Sequence, residues 1–267
     1  MEPIKIPAGM KLTFHSDYCD RHNKPVQMMI INGSVICPRC KLDEDNARLQ
    51  SELQEHFDSV AKREQYNTLE NKSLLDDETL ADARMDNFAA AEVEEKTNKQ
   101  IMFECIRRYK AGEKFNTILQ GKPGSGKSHL SYAALWELNE TKDHSCLFIS
   151  VESMLRKIKD SFNNKQSKYT ESYFVELLSN VDFLVLDDLG AETGAVDTDK
   201  QATDFVQRIL YAVANVRQNK ATIITTNLSG KALTTMYDSK LVSRLLRNPK
   251  YIIFKDTKDK RTSNIPF

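Results

Sequence analysis

The stretch GKPGSGKS, residues 121–128, constrains this chain more than any other. It fits the pattern G-x-x-x-x-G-K-[ST]. It directly follows the apolar run FNTILQ (115–120) and directly precedes the helical text HLSYAALWELNE. A glycine-rich turn between a strand and a helix can aim consecutive backbone N–H groups at one point. The helix N-terminus adds its positive end there, which suits a phosphate. The candidate contacts are Gly121, Pro123, Gly124, Ser125, Gly126, Lys127, Ser128 and His129. Gly121, Gly124 and Gly126 let the backbone bend, Lys127 reaches the β- and γ-phosphates, and the Ser128 hydroxyl ligates Mg²⁺.

The text around this loop is α/β. Short apolar runs at 115–120, 146–150, 183–188, 221–226 and 251–254 alternate with helical stretches such as 127–139 and 202–218. That alternation predicts a parallel sheet covered on both faces. The run FLVLDDLGAE (183–192) reads as a buried strand with carboxylates at its C-terminal edge. Asp187 is the candidate to hold Mg²⁺ through water, and Asp188 to orient the attacking water. In ATIITTNLS (221–229), Thr226 and Asn227 fall at the same sheet edge, where Asn227 can face a γ-phosphate.

Taken in order, GKPGSGKSHLSYAALWEL, FLVLDDLGAE, TIITTNLS and SRLLR resemble the DnaC/DnaI-type replicative helicase loaders of the AAA+ superfamily, with the IstB transposition ATPases as close relatives. The resemblance covers about residues 80–267. It implies five parallel strands of the ASCE kind with the phosphate-loop strand in the middle, and ATP/ADP with Mg²⁺ as cofactors. It also implies Asn227 as first sensor and Arg244 as an arginine finger facing a neighbouring subunit's nucleotide. Arg247, one turn on, would support it or pair locally. Only 40 residues follow Asn227, enough for one helix, one strand and a tail and too few for a helical lid. Arg261 then stands where lidless loaders carry a tail arginine. The lead-in ARMDNFAA keeps one family aromatic in Phe88, an adenine contact, and has Met85 where the other usually stands. Many AAA+ proteins carry Glu where this chain has Asp188, whose shorter reach implies slow, switch-like hydrolysis.

The N-terminal text is different. YCDRH and ICPRC supply Cys19, His22, Cys37 and Cys40 at a spacing suited to a tetrahedral Zn²⁺ site, with His15 as an alternative nitrogen donor of poorer spacing. The first 40 residues otherwise read as loop, too poor in apolar residues to fold without such a staple. Leu42, Leu49, Leu53, Phe57 and Val60 then share one helix face. The expected organisation is a zinc-bearing unit over 1–66, a linker over 67–95 and an ATPase domain over 96–267. The net formal charge of zero hides a net −8 over 41–100 and +6 over 101–267. A weakly basic zinc module followed by an acidic helix favours protein docking over DNA binding. The resemblance agrees, since DnaI-type loaders grip the helicase with a zinc-bearing domain that IstB relatives generally lack.

One further face carries cations beside rings. Lys157, Lys159, Lys165 and Lys168 interleave with Tyr169 and its aromatic neighbours, the ingredients of single-strand binding; an amphipathic helix with a solvated basic face reads equally well. No apolar run approaches the roughly 18 residues that span a bilayer. With no leader pattern, the expectation is a cytoplasmic protein with reduced thiols and no membrane partner. The whole points to an ATP-dependent loader that binds a hexameric replicative DNA helicase, self-associates through a shared ATP site and works on single-stranded DNA. The alternatives are an IstB-like ATPase assisting transposition or DNA remodelling, and a small-molecule phosphotransferase. The last would need a lid and an acceptor pocket, and the sequence shows neither.

Overall fold

The computed structural model describes residues 13–261 apart from 23, 32 and 194–200. The chain divides into two compact units, residues 1–61 and 62–267.

The first unit is not loop, as its composition suggests, but an antiparallel three-stranded sheet. Strands β1 (Thr13–Cys19), β2 (Val26–Ile31) and β3 (Ser34–Ile36) pair in that order. The run VQMMII supplies the central strand, and Gly33, at φ +80°, makes the tight turn that joins it to the third. Helix α1 (Pro38–Tyr66) follows, with no buried residue, and the division between the units falls within it.

In the second unit the elements run α2 (Thr68–Lys72), α3 (Val93–Lys110), β4 (Asn116–Gly121), α4 (Lys127–Asn139), β5 (Cys146–Ser150), α5 (Val151–Asn163), α6 (Glu171–Asn180), β6 (Phe183–Asp187), α7 (Asp204–Val216), β7 (Ala221–Thr226), α8 (Gly230–Met236), α9 (Ser239–Leu245) and β8 (Pro249–Phe254). The five strands from β4 to β8 form one parallel sheet in the order β5-β6-β7-β4-β8. The phosphate-loop strand β4 is therefore next to an edge, and β7 is the middle strand. Two short helices, not one, separate β7 from β8.

The inner strands bury both faces, while the edge strand β8 leaves Tyr251 and Ile253 exposed. In β6, Leu184 and Leu186 pack with α5 to α9, while Phe183 and Val185 pack with α2 to α4. That two-sided burial is why the strand text is continuously apolar. Residues 67–95, read from sequence as linker, send Leu69, Ala83, Met85 and Phe88 into the second layer. Their backbone also covers the β5 edge: Leu74 N–H donates to Phe148 O and Ser150 N–H to Leu74 O, at 2.9 and 3.0 Å. The bare edge is thereby closed to other chains. At the N-terminal ends of β6 and β7, Arg217 donates five hydrogen bonds, four of them to the carbonyls of Leu178, Val181, Asp182 and Ala221.

Candidate nucleotide and metal sites

The loop after β4 turns through two left-handed glycines, Gly124 (φ +73°) and Gly126 (φ +93°), where a side chain would strain the backbone. Gly121 has a different reason. A Cβ there would lie 2.6 Å from both the Cβ and the carbonyl oxygen of Phe254, so this glycine lets β8 approach β4. Ser125 is buried and its hydroxyl donates to Lys122 O, closing the turn. Lys127 opens α4 and is 4% exposed; its ammonium donates to Gly121 O, Lys122 O and Asn227 Oδ1 at 2.8–2.9 Å. Burial lowers its pKa, against the pull of Asp188 and Asp187.

Asp187 ends β6, almost fully buried. Burial, then the neighbouring Asp188, push its carboxyl up to about 6, while hydrogen bonds from Thr225 and Ser128 and the charge of Lys127 work the other way. Such a group gains from a cation, and Ser128 beside it completes the donor pair expected for Mg²⁺. Asp188 adopts φ +53°, a left-handed conformation that Asp tolerates better than most residues. It lines a cleft of about 250 Å³ with Lys127, Ser128, Asn227, Phe88 and Arg261. The loop, both acids and Asn227 thus meet at the C-terminal edge of the sheet, where α/β folds place their ligands.

The cleft has two further walls. Phe88 packs against Gly126, with its ring 5.6 Å from that of His129. His129 lines the cleft, but its Nε2 also meets Asn87 Oδ1 at 2.9 Å. The segment after β8 closes the other side. Lys260 N–H donates to Gly124 O, and its ammonium pairs with Glu95 at 3.0 Å and lies 4.4 Å over the Phe88 ring. Glu94 accepts from the N–H groups of Lys255, Asp256 and Thr257 and from the Thr257 hydroxyl. This clamp carries Arg261 to the cleft. Pro123 is at the rim.

Arg244 is elsewhere. With Arg247 it lines a separate cavity of about 150 Å³ that also includes Lys114 and Asn116, at the N-terminal end of β4. Its guanidinium stacks 4.4 Å from the Tyr211 ring, and its buried Nε has no hydrogen-bond partner among the described residues. Arg247 donates to Gln218 O.

The basic face is only partly gathered. Lys157 and Lys168 lie 4.6 and 5.2 Å from the Tyr169 ring, and Lys159 sits over Phe205. Lys165 is exposed. The opposite face of α5 is core, through Met154, Leu155 and Ile158.

In the first unit, one donor atom each from Cys19, His22, Cys37 and Cys40 falls within 4.8 Å of all the others. Cys19 Sγ to Cys40 Sγ is 3.7 Å, and His22 Nε2 is 3.3 Å from both Cys37 Sγ and Cys40 Sγ. A tetrahedral zinc with ordinary bond lengths requires about 3.8 Å between sulfurs and about 3.6 Å from sulfur to nitrogen. A disulfide would bring sulfurs to about 2 Å. The thiol pKa values split accordingly. Burial raises that of Cys37, but hydrogen bonds from Cys40 N–H and His22 bring it to about 6, while burial and the neighbouring thiols push Cys40 up to about 11. The cluster is compatible with zinc. His15 is outside it, with its Nδ1 turned to Asp17.

Sequence reasoning missed Thr225, the Glu94 clamp and Arg217. Thr225 sits two places before Asn227 in a run of strand formers, where nothing separates a bonding hydroxyl from a strand-filling one.

The model of the family described as IstB-like ATP binding protein matches residues 48–248. The chain belongs to this family. As an IstB-like ATP binding protein it carries the nucleotide-binding ATPase core of the family, and its Cys/His cluster lies ahead of the matched segment. Among curated relatives, the replicative helicase loader DnaC of Escherichia coli K12 is 31% identical over 140 residues, 51% of this chain and 53% of DnaC. The chain spans about half the length of the curated relatives it matches. Solved structures share the fold. A DnaC helicase loader has a TM-score of 0.56 at 21% identity, over 67% of this chain and all of that one. DnaI has a TM-score of 0.55 at 19% identity, over 68% and 95%. The fold is that of the AAA+ ATPases. Among the described residues, no helix is long and apolar enough to cross a membrane.

Proposed function

We propose that this chain is an ATP-dependent loader that binds a hexameric replicative DNA helicase and helps deposit it on single-stranded DNA. One observation carries the reading. A family ATPase core is joined in one chain to a small Cys₃His unit whose helix keeps an apolar stripe in solvent. Leu42, Leu49, Leu53, Phe57 and Val60 are 40–65% exposed on one face of α1, a surface suited to a helical partner. DnaC, the relative named above, is a replicative helicase loader.

In this reading Lys127 and the loop N–H groups hold the β- and γ-phosphates. Ser128 and Asp187 hold Mg²⁺, which when bound neutralises charge between those phosphates. Asp188 orients water, Asn227 faces the γ-phosphate, and Phe88 and Arg261 border the nucleotide. Arg244 serves a neighbouring subunit's site. Lys157, Lys159, Lys168 and Tyr169 meet single-stranded DNA. Residues 1–66 dock the helicase, 67–95 lead in, and 96–267 form the ATPase domain. The Cys₃His site holds structural zinc. Hydrolysis is slow because Asp188 is short.

The test is retention of a replicative helicase hexamer by the immobilised full chain with ATP present. Retention that Leu53→Asp with Phe57→Asp abolishes supports the reading; failure of the wild type to retain any cognate hexamer overturns it. The second reading, an ATPase assisting transposition or DNA remodelling, is favoured by the IstB-like family match. It requires ATP hydrolysis stimulated by duplex DNA without a helicase.

A further inference from the structure

Thr225 lies in the middle strand of the sheet, between β4 and β6, and is 0% exposed. In the β4–β7 ladder it stands opposite Leu119, two residues before the end of the phosphate-loop strand. On its other side the β6–β7 ladder ends at the pair Leu186 and Ile224, so Thr225 is the next position along, facing the start of the acidic turn.

Its hydroxyl makes two hydrogen bonds there. Asp188 N–H donates to Thr225 Oγ1 at 2.8 Å, and Thr225 Oγ1 is 2.6 Å from Asp187 Oδ1. A backbone N–H can only donate, so the first bond occupies a lone pair of Oγ1. A hydroxyl has one proton, and an ionised carboxylate can only accept, so that proton goes to Asp187. The direction of both bonds follows from the chemistry of the groups. One oxygen atom thus ties the side chain of one acid to the backbone of the next.

The backbone that it holds is the unusual part of the turn. Asp188 has φ +53°, which a non-glycine residue keeps only where its surroundings enforce it. Leu189 N–H also donates to Thr225 O at 2.9 Å, and Thr226 Oγ1 donates to Leu189 O at 2.7 Å. The turn is therefore clamped to β7 on both sides of Asp188, and the Thr225 hydroxyl is the tie nearest the two carboxylates. Threonine suits the place, since a β-branched side chain in a strand has few rotamers to lose.

We infer that Thr225 is the positioning residue of the acidic pair: its hydroxyl sets the Asp187 carboxylate for magnesium and fixes the left-handed turn that aims Asp188 at the nucleotide. This rests on the reading of Asp187 and Asp188 as the metal-holding and water-orienting acids. Thr225 itself does not line the cleft. Its effect is carried by the two groups it holds.

The experiment compares Thr225→Val, Thr225→Ala and Thr225→Ser with the wild-type full chain. Affinity for a fluorescent ATP analogue is measured with and without Mg²⁺, together with kcat and KM for ATP. Substituting a group that orients a metal ligand costs about 10- to 100-fold in metal affinity or activity. Thr225→Val should therefore lose most of the Mg²⁺-dependent gain in nucleotide affinity and lower kcat by about tenfold or more. Its affinity without Mg²⁺ should stay at the wild-type value. Thr225→Ser keeps the hydroxyl and should restore both quantities. Thr225→Ala, which crowds nothing, repeats the loss if the valine variant does not fold. An unchanged Mg²⁺ response and kcat in Thr225→Ala or Thr225→Val overturns the proposal, as does an equal loss in Thr225→Ser. Lys127→Ala separates the two levels. Its loss of nucleotide binding beside an unchanged Thr225→Val removes the proposal alone. Wild-type binding by Lys127→Ala overturns the site reading and the proposal with it.

Discussion

Replacing Arg244 with Ala should leave ATP binding intact and remove hydrolysis that depends on assembly. The geometry sets the expectation. Leu245 O accepts from the Asn116 side chain, which fixes the end of α9 at the start of β4. The phosphate loop begins at the other end of that six-residue strand, so the two lie about 17 Å apart at roughly 3.3 Å per residue. An arginine stacked on Tyr211 at the far end cannot serve its own loop, but it can serve a neighbour's. An arginine supplied across an interface is worth about 10³- to 10⁵-fold in phosphoryl transfer. The cost to folding is much smaller: the half-exposed stack on Tyr211 is worth about 1 kcal/mol or less. The assay is phosphate release per molecule as protein concentration rises. Wild type should climb, Arg244→Ala should stay flat, and mixing Arg244→Ala with Lys127→Ala should recover activity. Equal rates per molecule for dilute wild type and for Arg244→Ala would refute the reasoning.

Four other outcomes are expected. Purified full-length protein should carry close to one zinc per chain, and Cys40→Ser should lose it together with the sheet signal of the first unit, as followed by metal analysis and circular dichroism. Hydrogen bonds from Thr257, Asp256 and Lys255 outweigh the effect of burial and hold the Glu94 carboxyl below the ordinary carboxylate range. A carboxylate depressed in this way contributes stability that is present above its unfolded pKa of about 4.3 and is lost as pH falls through its folded value. Glu94→Gln should therefore be less stable at neutral pH and lose less on acidification, seen in urea midpoints across pH 2.5–7. Arg217→Met should destabilise the second unit by roughly 3 kcal/mol in urea unfolding, about 1 for each of the carbonyls of Leu178, Asp182 and Ala221 that lose Arg217, since the Val181 carbonyl keeps Lys220. Lys157→Ala with Lys159→Ala should weaken single-stranded DNA binding and reduce its log–log salt slope by about 1.4, as measured by anisotropy at several salt concentrations.

The motifs that could be read from the sequence are those in which chemistry forces a local pattern. The loop at 121–128 and the acids at 187–188 follow from backbone bending and a buried strand, and they meet at one sheet edge as expected. Strand order depends on pairings between distant segments, and no local pattern told β4 from β7 as the middle strand. The first 40 residues hid their strands because β1 is polar and largely exposed, so alternation is weak in TFHSDYC. Gly121 looked like a bending glycine, but its reason is Phe254, which is invisible without the β4–β8 register. Glu94 sits two residues into α3, where an acid is ordinary helix chemistry, and only the fold brings the segment 255–257 to it.

The placement of β4 also bears on how the chain is made. Both of its neighbours come late: Asn116 meets Thr222 at a separation of 106 residues, and Leu245, just ahead of β8, at 129. At a synthesis rate of about 5–20 residues per second, β4 waits roughly 5–20 s on the ribosome with both hydrogen-bonding edges bare. Meanwhile β5 and β6 can pair through α5 and α6, and the preceding segment at Leu74 can close the β5 edge. The nucleotide cleft is thus the last part of the domain to close during vectorial synthesis. Nascent chains that stall before β7 therefore lack Asn227 and leave both edges of β4 unpaired.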